Sequence, residues 1–310
     1  MTTHHKEMFD HVTKELHKVV IGQNEMIEEV IIALLCNGNA LLEGYPGLAK
    51  TLTINTLSKV IDLKFSRIQN TPDLMPSDIT GTYIINEERG KRSFKFQPGP
   101  IFANIVLADE INRATPKSQS AFLEAMQEKQ VTVGTSTFKL EDPFFVLATQ
   151  NPIEQEGTYP LPEAQADRFL LKIKMGYPNE DEEIQIVKQY TEKETVVEPK
   201  KVMDKARLLK LQELTKNMPI ADDLRKAAVK IVIATRKNKE LFMFGASPRA
   251  SMALILASKA RALIKGRTHV SGEDIKTMAL PVLRHRVVLS FEAERQGLDV
   301  DAAISKIIKW

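Results

Sequence analysis

A glycine-containing segment, GYPGLAKT at residues 44–51, has the residue types needed to bind the phosphates of a nucleotide. It follows an apolar run at residues 40–42 that reads as a buried strand. A strand that ends in such a turn and continues as a helix directs backbone N–H groups and the positive end of the helix dipole at one point. Lys50 can then reach the β and γ phosphates, and the Thr51 hydroxyl can ligate Mg²⁺. The segment predicts a phosphate site; the alternative is a tight strand-to-helix turn.

Ala49 stands where the strict phosphate-binding loop pattern has a glycine. A methyl group is tolerated at that position if φ is negative, and a left-handed alanine would cost about 1–2 kcal/mol. We therefore expect Ala49 to lie in the first helical turn with a negative φ.

A second apolar run, at residues 105–108, leads directly into the two carboxylates Asp109 and Glu110. Ligands collect at the carboxyl ends of parallel strands, so this pair should lie beside the phosphate loop. We expect Asp109 to hold Mg²⁺ through its water ligands and Glu110 to polarise the water that attacks the γ-phosphate. A helix-capping acid after a strand is the alternative, and the two sites support each other.

Asn151 and Arg249 could also act on a nucleotide. Asn151 follows a third apolar strand, where its amide could orient the attacking water; a turn asparagine before Pro152 is the alternative. Arg249 follows Ser247 and Pro248, which predict a helix start. A cation there opposes the helix dipole, and a nearby γ-phosphate would offset that cost. A solvated arginine is the alternative.

Arg168 lies between a short predicted helix and the last strand of the core. A guanidinium at this edge could reach the phosphates of a neighbouring subunit and act as an arginine finger. A salt bridge with Asp167 or Glu163 is the alternative.

The elements around these residues alternate between strand and helix, as in a parallel, doubly wound α/β sheet. Two hairpins are predicted as insertions, at residues 82–96 and 131–140, and should contact something outside the sheet. After residue 179 the pattern indicates helices only, including 221–236, 250–265 and 271–280. We expect an α/β nucleotide-binding domain at 1–177 and an all-helical domain at 178–310. The predicted core strands are 39–43, 64–69, 104–109, 144–149 and 169–174.

Composition narrows the class of protein. The 310 residues are 43% hydrophobic with a formal net charge of +3, which gives no bulk attraction to nucleic acid. No stretch reaches the length of a membrane span, and the start of the chain lacks a signal-peptide core, so we expect a cytoplasmic protein. Cys36, the single cysteine, fits helix packing, and the N-terminal histidines fit a solvated helix rather than a metal site.

Together, these motifs in this order resemble the AAA+ ATPases and are most similar to the MoxR family. The resemblance spans essentially the whole chain, and alanine before the lysine is usual in MoxR proteins. It rests on the strings GYPGLAKT at 44–51, DEINRA at 109–114, ATQNP at 148–152, and LPEAQ at 161–165 leading to DRF at 167–169.

The resemblance implies a role for each of these residues. Lys50 and Thr51 would belong to Walker A, Asp109 and Glu110 to Walker B, Asn151 to sensor 1, Arg168 to the arginine finger and Arg249 to sensor 2. The segment at 21–23 matches the position where AAA+ proteins pack the adenine. The residues expected to contact ATP are therefore Ile21, Gly22, Gly44, Pro46, Gly47, Leu48, Ala49, Lys50 and Thr51, with Thr51 and Asp109 at Mg²⁺.

The resemblance also implies a ring, expected to be a hexamer, that remodels or matures a protein client, often together with a von Willebrand factor A domain protein. Two alternatives stay open at this point. Arg89, Lys91, Arg92 and Lys95 in the first hairpin could mark a nucleic-acid motor or a restriction-type subunit, although such cations are also ordinary at a solvated hairpin tip. A nucleotide switch with negligible turnover is the other, and the choice between ATP and GTP is not fixed by any motif.

Overall fold

The computed structural model of the chain describes residues 2–88, 91–152, 158–192 and 197–308. The helices are α1 Thr2–Leu16, α2 Asn24–Leu35, α3 Lys50–Val60, α4 Pro76–Thr80, α5 Pro116–Glu128, α6 Glu163–Ala166, α7 Glu180–Thr191, α8 Lys205–Asn217, α9 Asp222–Lys237, α10 Pro248–Ile264, α11 Gly272–Leu283, α12 Phe291–Arg295 and α13 Val300–Ile307. The strands are β1 Ala40–Glu43, β2 Phe65–Gln69, β3 Gly81–Glu88, β4 Lys91–Pro98, β5 Ile105–Asp109, β6 Gln130–Val133, β7 Ser136–Lys139, β8 Phe145–Gln150, β9 Leu171–Lys174, β10 Phe242–Phe244 and β11 Val288–Leu289.

A five-stranded parallel sheet forms the centre of the α/β part, in the order β2-β5-β8-β1-β9. The strands β5 and β8 are apolar almost throughout and buried, because helices cover both faces of the sheet. This confirms the predicted α/β fold. The loops that follow β1, β5 and β8 leave the same edge of the sheet, which brings the predicted site residues together.

The two inserted hairpins are β3–β4 and β6–β7. They pack on each other, since Phe96 stacks on Phe138 at 4.0 Å between ring centroids and the Tyr83 hydroxyl donates to Ser136 Oγ at 2.9 Å. We expected the first hairpin to contact something outside the central sheet, and part of it contacts the second hairpin. Farther along the first hairpin, Phe94 is 78% exposed. Arg89 and Gly90, at its predicted turn, lie outside the described residues.

The C-terminal part was expected to contain helices only, and this expectation is wrong in one detail. Besides α7 to α13 it contains the antiparallel pair β10 and β11. These strands have three and two residues, too few for an alternating pattern to be visible in the sequence. Ser271 begins α11 as predicted, with a capping box to Asp274. Among the helices of the described ranges, none combines the length and the hydropathy that a membrane crossing requires.

Glu29 is a buried carboxylate on α2. Burial raises its pKa to about 8, while the Arg284 guanidinium lowers it and Glu25, Glu28 and Asp301 raise it. Glu29 is therefore protonated at neutral pH. The unfolded chain releases this proton near the ordinary pKa, so the native state binds more protons than the unfolded state between about 4.5 and 8.

We expect the free energy of unfolding to fall as pH rises through this window, with a contribution from Glu29 of roughly 2–4 kcal/mol. Glu29→Gln should remove that slope and leave the protein more stable than wild type at pH 8. Urea unfolding at several pH values measures it, and Glu128→Gln, at the exposed end of α5, is the control. Equal slopes for wild type and Glu29→Gln would contradict the assignment.

Candidate nucleotide site

One cavity of about 450 Å³ lies at the carboxyl edge of the central sheet, between the loop after β1 and the ends of β5 and β8. Lys50, Thr51, Asp109, Glu110 and Asn151 all line it, so the structure brings these predicted residues together. It is also lined by Arg67 and Leu52, and by the loop residues Pro46, Gly47, Leu48 and Ala49.

The loop at 44–51 has two left-handed residues, Gly47 with φ 85° and Ala49 with φ 58°. The expectation of a negative φ at Ala49 is therefore wrong: this residue is the N-cap of α3, and the helix begins one residue later, at Lys50. Residues that alternate between left- and right-handed conformations point successive N–H groups into one concavity that suits an anion. The left-handed alanine is the cost of that arrangement.

Ala49→Gly should raise the free energy of unfolding by about 0.5–1 kcal/mol, because glycine adopts the left-handed conformation without the steric cost of a Cβ. Ala227→Gly, in the interior of α9, should change stability by a similar amount in the opposite direction. Urea unfolding of both variants tests this pair. A loss of stability in Ala49→Gly as large as in Ala227→Gly would contradict the left-handed conformation.

Lys50 is half-buried, and its ammonium donates to the Gly44 carbonyl at 2.6 Å. Burial lowers its pKa, and the nearby Asp109 and Glu110 carboxylates oppose that shift. The amine thus lies over the loop, with acids on one side and backbone on the other. A group with strong negative charge, such as a triphosphate, would replace the single carbonyl as its partner.

Asp109 is held by neighbours that sequence reasoning did not identify. Its Oδ2 accepts from Arg67 Nη2 at 2.6 Å and from Arg67 Nε at 3.1 Å, and its Oδ1 accepts from the Thr149 hydroxyl at 2.6 Å. Arg67 lies on β2, two residues before Gln69, which pairs with Asp109. The side chains of Arg67 and Asp109 therefore lie on the same face of the sheet. An arginine inside a predicted strand, beside the strand that carries the acids, was the available signal.

Glu110 is in a left-handed conformation, with φ 54°. Its backbone N–H donates to Thr149 Oγ1 at 2.8 Å, and its carboxylate accepts from Arg113 Nη1 at 2.9 Å. Thr149, at the end of β8, thus links the two acids to the strand that leads to Asn151. The described residues contain no cluster of three or more histidine, cysteine or acidic side chains with metal-binding geometry. A Mg²⁺ ion bound with a nucleotide needs only one or two protein ligands, because phosphates and water supply the others. Thr51 and Asp109, the residues predicted for this ion, line the same cavity.

The segment with Ile21 and Gly22 does not line the cavity, but it is connected to the phosphate loop through residues 176 and 177. Gln23 Nε2 donates to the Gly176 carbonyl at 3.0 Å, and the next residue, Tyr177, stacks on Tyr45 of the phosphate loop at 5.1 Å. Gly22 has φ 69°, and a Cβ there would lie 2.6 Å from the Glu182 carboxylate. The segment therefore packs closely on the start of α7.

Arg168 and Arg249 also lie outside the set of residues that line the cavity, and both are next to Asp167. Arg249 is in the first turn of α10, after the N-cap Ser247 as predicted, and its Nη1 is 3.8 Å from Asp167 Oδ2. Asp167 directly precedes Arg168 in the chain. The exposed Arg168 guanidinium donates to Gln127 Oε1 on α5, instead of forming the salt bridge considered as an alternative.

Comparison with known proteins agrees with this geometry. Residues 39–171 match a family described as the ATPase family associated with various cellular activities (AAA), and residues 233–307 match an AAA lid domain. The chain is 45% identical over 303 residues to chaperone MoxR1 of Mycobacterium tuberculosis, covering 95% of this chain and 79% of that protein. The chain belongs to the MoxR family of AAA+ ATPases.

Two further comparisons extend over a similar length. This MoxR-family chain is 44% identical to the uncharacterised protein YeaC of Bacillus subtilis, covering 95% of this chain and 91% of the relative. A crystal structure from Cytophaga hutchinsonii, of a protein provisionally described as an ATPase, superposes with a TM-score of 0.91 at 42% identity, covering 99% of this chain and 95% of that one. The AAA match contains the cavity residues and Arg168, whereas Arg249 lies in the lid match.

Proposed function

We propose that this MoxR-family protein hydrolyses ATP with Mg²⁺ and couples turnover to the remodelling or maturation of a protein complex. The observation that carries the proposal is the convergence of Lys50, Thr51, Asp109, Glu110 and Asn151 on one cavity at the carboxyl edge of the parallel sheet. A cation, a hydroxyl, two carboxylates and an amide are the groups that phosphoryl transfer to water requires.

Each group has a proposed task. Lys50 and the N–H groups of the loop bind the β and γ phosphates, and Thr51 and Asp109 hold Mg²⁺, which neutralises charge on the phosphates. Glu110 polarises the attacking water, and Asn151 orients it. The Glu110–Arg113 ion pair, at 2.9 Å, supports this role because it holds the carboxylate in place at the cavity. The adenine site is proposed at Ile21 and Gly22.

We further propose that Arg168 acts on the nucleotide of a neighbouring subunit in a ring, and that Arg249 contacts a γ-phosphate from the first turn of α10. The exposed position of Arg168, outside the set of residues that line the cavity of its own chain, supports its role. Arg249 would then meet the anion that offsets its unfavourable place at the start of α10. A hexamer is the expected ring, and the compartment is proposed to be the cytoplasm.

Steady-state phosphate release tests the reaction. We expect release from ATP that requires Mg²⁺, stops on its chelation with EDTA and is lost in Glu110→Gln. Substituting GTP in the same assay establishes base preference. Nucleotide binding without phosphate release would instead support a switch with negligible turnover.

The client is proposed to be a protein, and a von Willebrand factor A domain partner is the expectation taken from the family resemblance. Capture of proteins that co-purify with Glu110→Gln in the presence of ATP tests both. A nucleic-acid motor has less support, because Arg92 Nε lies 3.2 Å from Glu87 Oε2 and Phe94 beside it is exposed. DNA affinity with a steep dependence on salt concentration would reverse this preference.

A further inference from the structure

We propose that Arg286 is a positioning residue for Arg168, because it holds the backbone on both sides of this arginine and attaches it to the lid. The inference rests on the function proposed above, in which Arg168 reaches the nucleotide of the neighbouring subunit. It assigns a mechanical link between the lid and that arginine.

Arg286 lies in the turn between α11 and β11, more than a hundred residues from the segment that it contacts. Its Nε donates to Asp167 Oδ1 at 2.9 Å, and its Nη1 donates to the Leu170 carbonyl at 3.0 Å. Its Nη2 donates to the carbonyls of Asp167 and Phe169. The planar guanidinium thus binds the residues before and after Arg168 with its fixed set of donors.

The Arg286 side chain is only 3% exposed. Burial lowers its pKa to about 10, against the opposing effect of the Asp167 carboxylate, so the group remains charged at neutral pH. A buried charge is tolerated only with a well-placed partner, which ties the position of Asp167 to that of Arg286. Arg168, in contrast, has an exposed side chain on this fixed backbone.

Other lid groups contact the same segment. The Ser247 hydroxyl donates to Asp167 Oδ2 at 2.9 Å, and His285 Nε2 lies 3.0 Å from the Phe169 carbonyl. Burial and the adjacent Arg286 cation lower the pKa of His285 well below its usual range, so the neutral ring donates from Nε2. A movement of the lid would therefore displace the backbone of Arg168, and a shift of about 1 Å in a catalytic group can cost about 10² in rate.

The test uses Arg286→Lys, since Arg286→Ala would remove the buried donors to the Asp167 carboxylate and to several carbonyls and is expected to impair folding. Lysine keeps the charge and loses the fork that binds these acceptors together. We expect ATP affinity within a few-fold of wild type and turnover about 10²-fold lower. Arg284→Lys is the matched control, because Arg284 lies in the same turn and donates to the Lys172 carbonyl instead. It should lower turnover no more than a few-fold.

Mixed rings distinguish positioning from a general structural role. Lys50→Ala subunits lack a working nucleotide site but retain Arg168, and Arg168→Ala subunits have the opposite defect. Arg286→Lys should recover phosphate release when mixed with Lys50→Ala, and should not recover it when mixed with Arg168→Ala. Size-exclusion chromatography and thermal unfolding first establish that each variant is folded and assembled.

The outcomes are separable. Recovery of Arg286→Lys with Arg168→Ala, loss of ATP affinity in Arg286→Lys, or turnover equal to that of Arg284→Lys overturns the assignment of Arg286. No recovery in Arg286→Lys with Lys50→Ala overturns it as well, provided that the reference mixture of Arg168→Ala with Lys50→Ala recovers. If the reference mixture itself stays inactive, the proposed function of Arg168 fails, and the role of Arg286 falls with it.

Discussion

Lys50→Ala is expected to lower ATP affinity by about 10²-fold or more, because it removes the charge-assisted contacts to the β and γ phosphates. Glu110→Gln is expected to bind ATP like wild type and to lower turnover by about 10²–10⁴, because it keeps the shape of the side chain and removes the base. The two residues line one cavity, yet the proposed chemistry separates them into a binding group and a water-activating group.

Nucleotide titration together with phosphate release measures both effects. Lys59→Ala, at an exposed position on α3, and Glu128→Gln, at the exposed end of α5, are matched controls that should behave like wild type. An equal loss of affinity in Lys50→Ala and Glu110→Gln would contradict the role assigned to Glu110.

Arg168→Ala is expected to leave ATP affinity within a few-fold of wild type and to lower turnover by about 10³–10⁵, since an arginine finger acts chiefly on the transition state. Gln127→Ala provides the control. In the isolated chain Gln127 accepts from Arg168, and this contact must open for the guanidinium to reach a neighbouring nucleotide. Gln127→Ala should therefore retain turnover within a few-fold of wild type. A similar loss in both variants would indicate that Arg168 acts within its own chain.

The fold could be predicted from the sequence where single segments carry the information. The apolar runs that became β5 and β8 have no polar face, which only a sheet covered on both sides accommodates. Ser271 and Asp274 specify a helix start by side-chain chemistry within four residues, and the structure has that capping box. The loop at 44–51 likewise carries its own turn and its own charge.

Features that depend on contacts between distant segments could not be predicted. The role of Arg67 requires knowing that β2 lies beside β5, and that of Arg286 requires knowing how the lid packs on the segment after α6. The left-handed Ala49 follows from the demand that N–H groups converge, which overrides the local preference of alanine. The strands β10 and β11 stabilise each other by pairing, and neither is long enough to be recognised alone.

If each subunit completes the nucleotide site of its neighbour, mixed rings of two defective variants should release phosphate in a steady-state assay. Arg168→Ala and Lys50→Ala are each expected to be inactive, but an equimolar mixture places an intact arginine beside an intact cavity at about a quarter of the ring interfaces. We expect the mixture to recover a substantial share of wild-type turnover. Rings of Arg168→Ala alone, assembled to the same size as wild type, should recover none. Mixed rings that assemble, as size-exclusion chromatography can establish, and still release no phosphate would contradict the completion of each site by a neighbouring subunit.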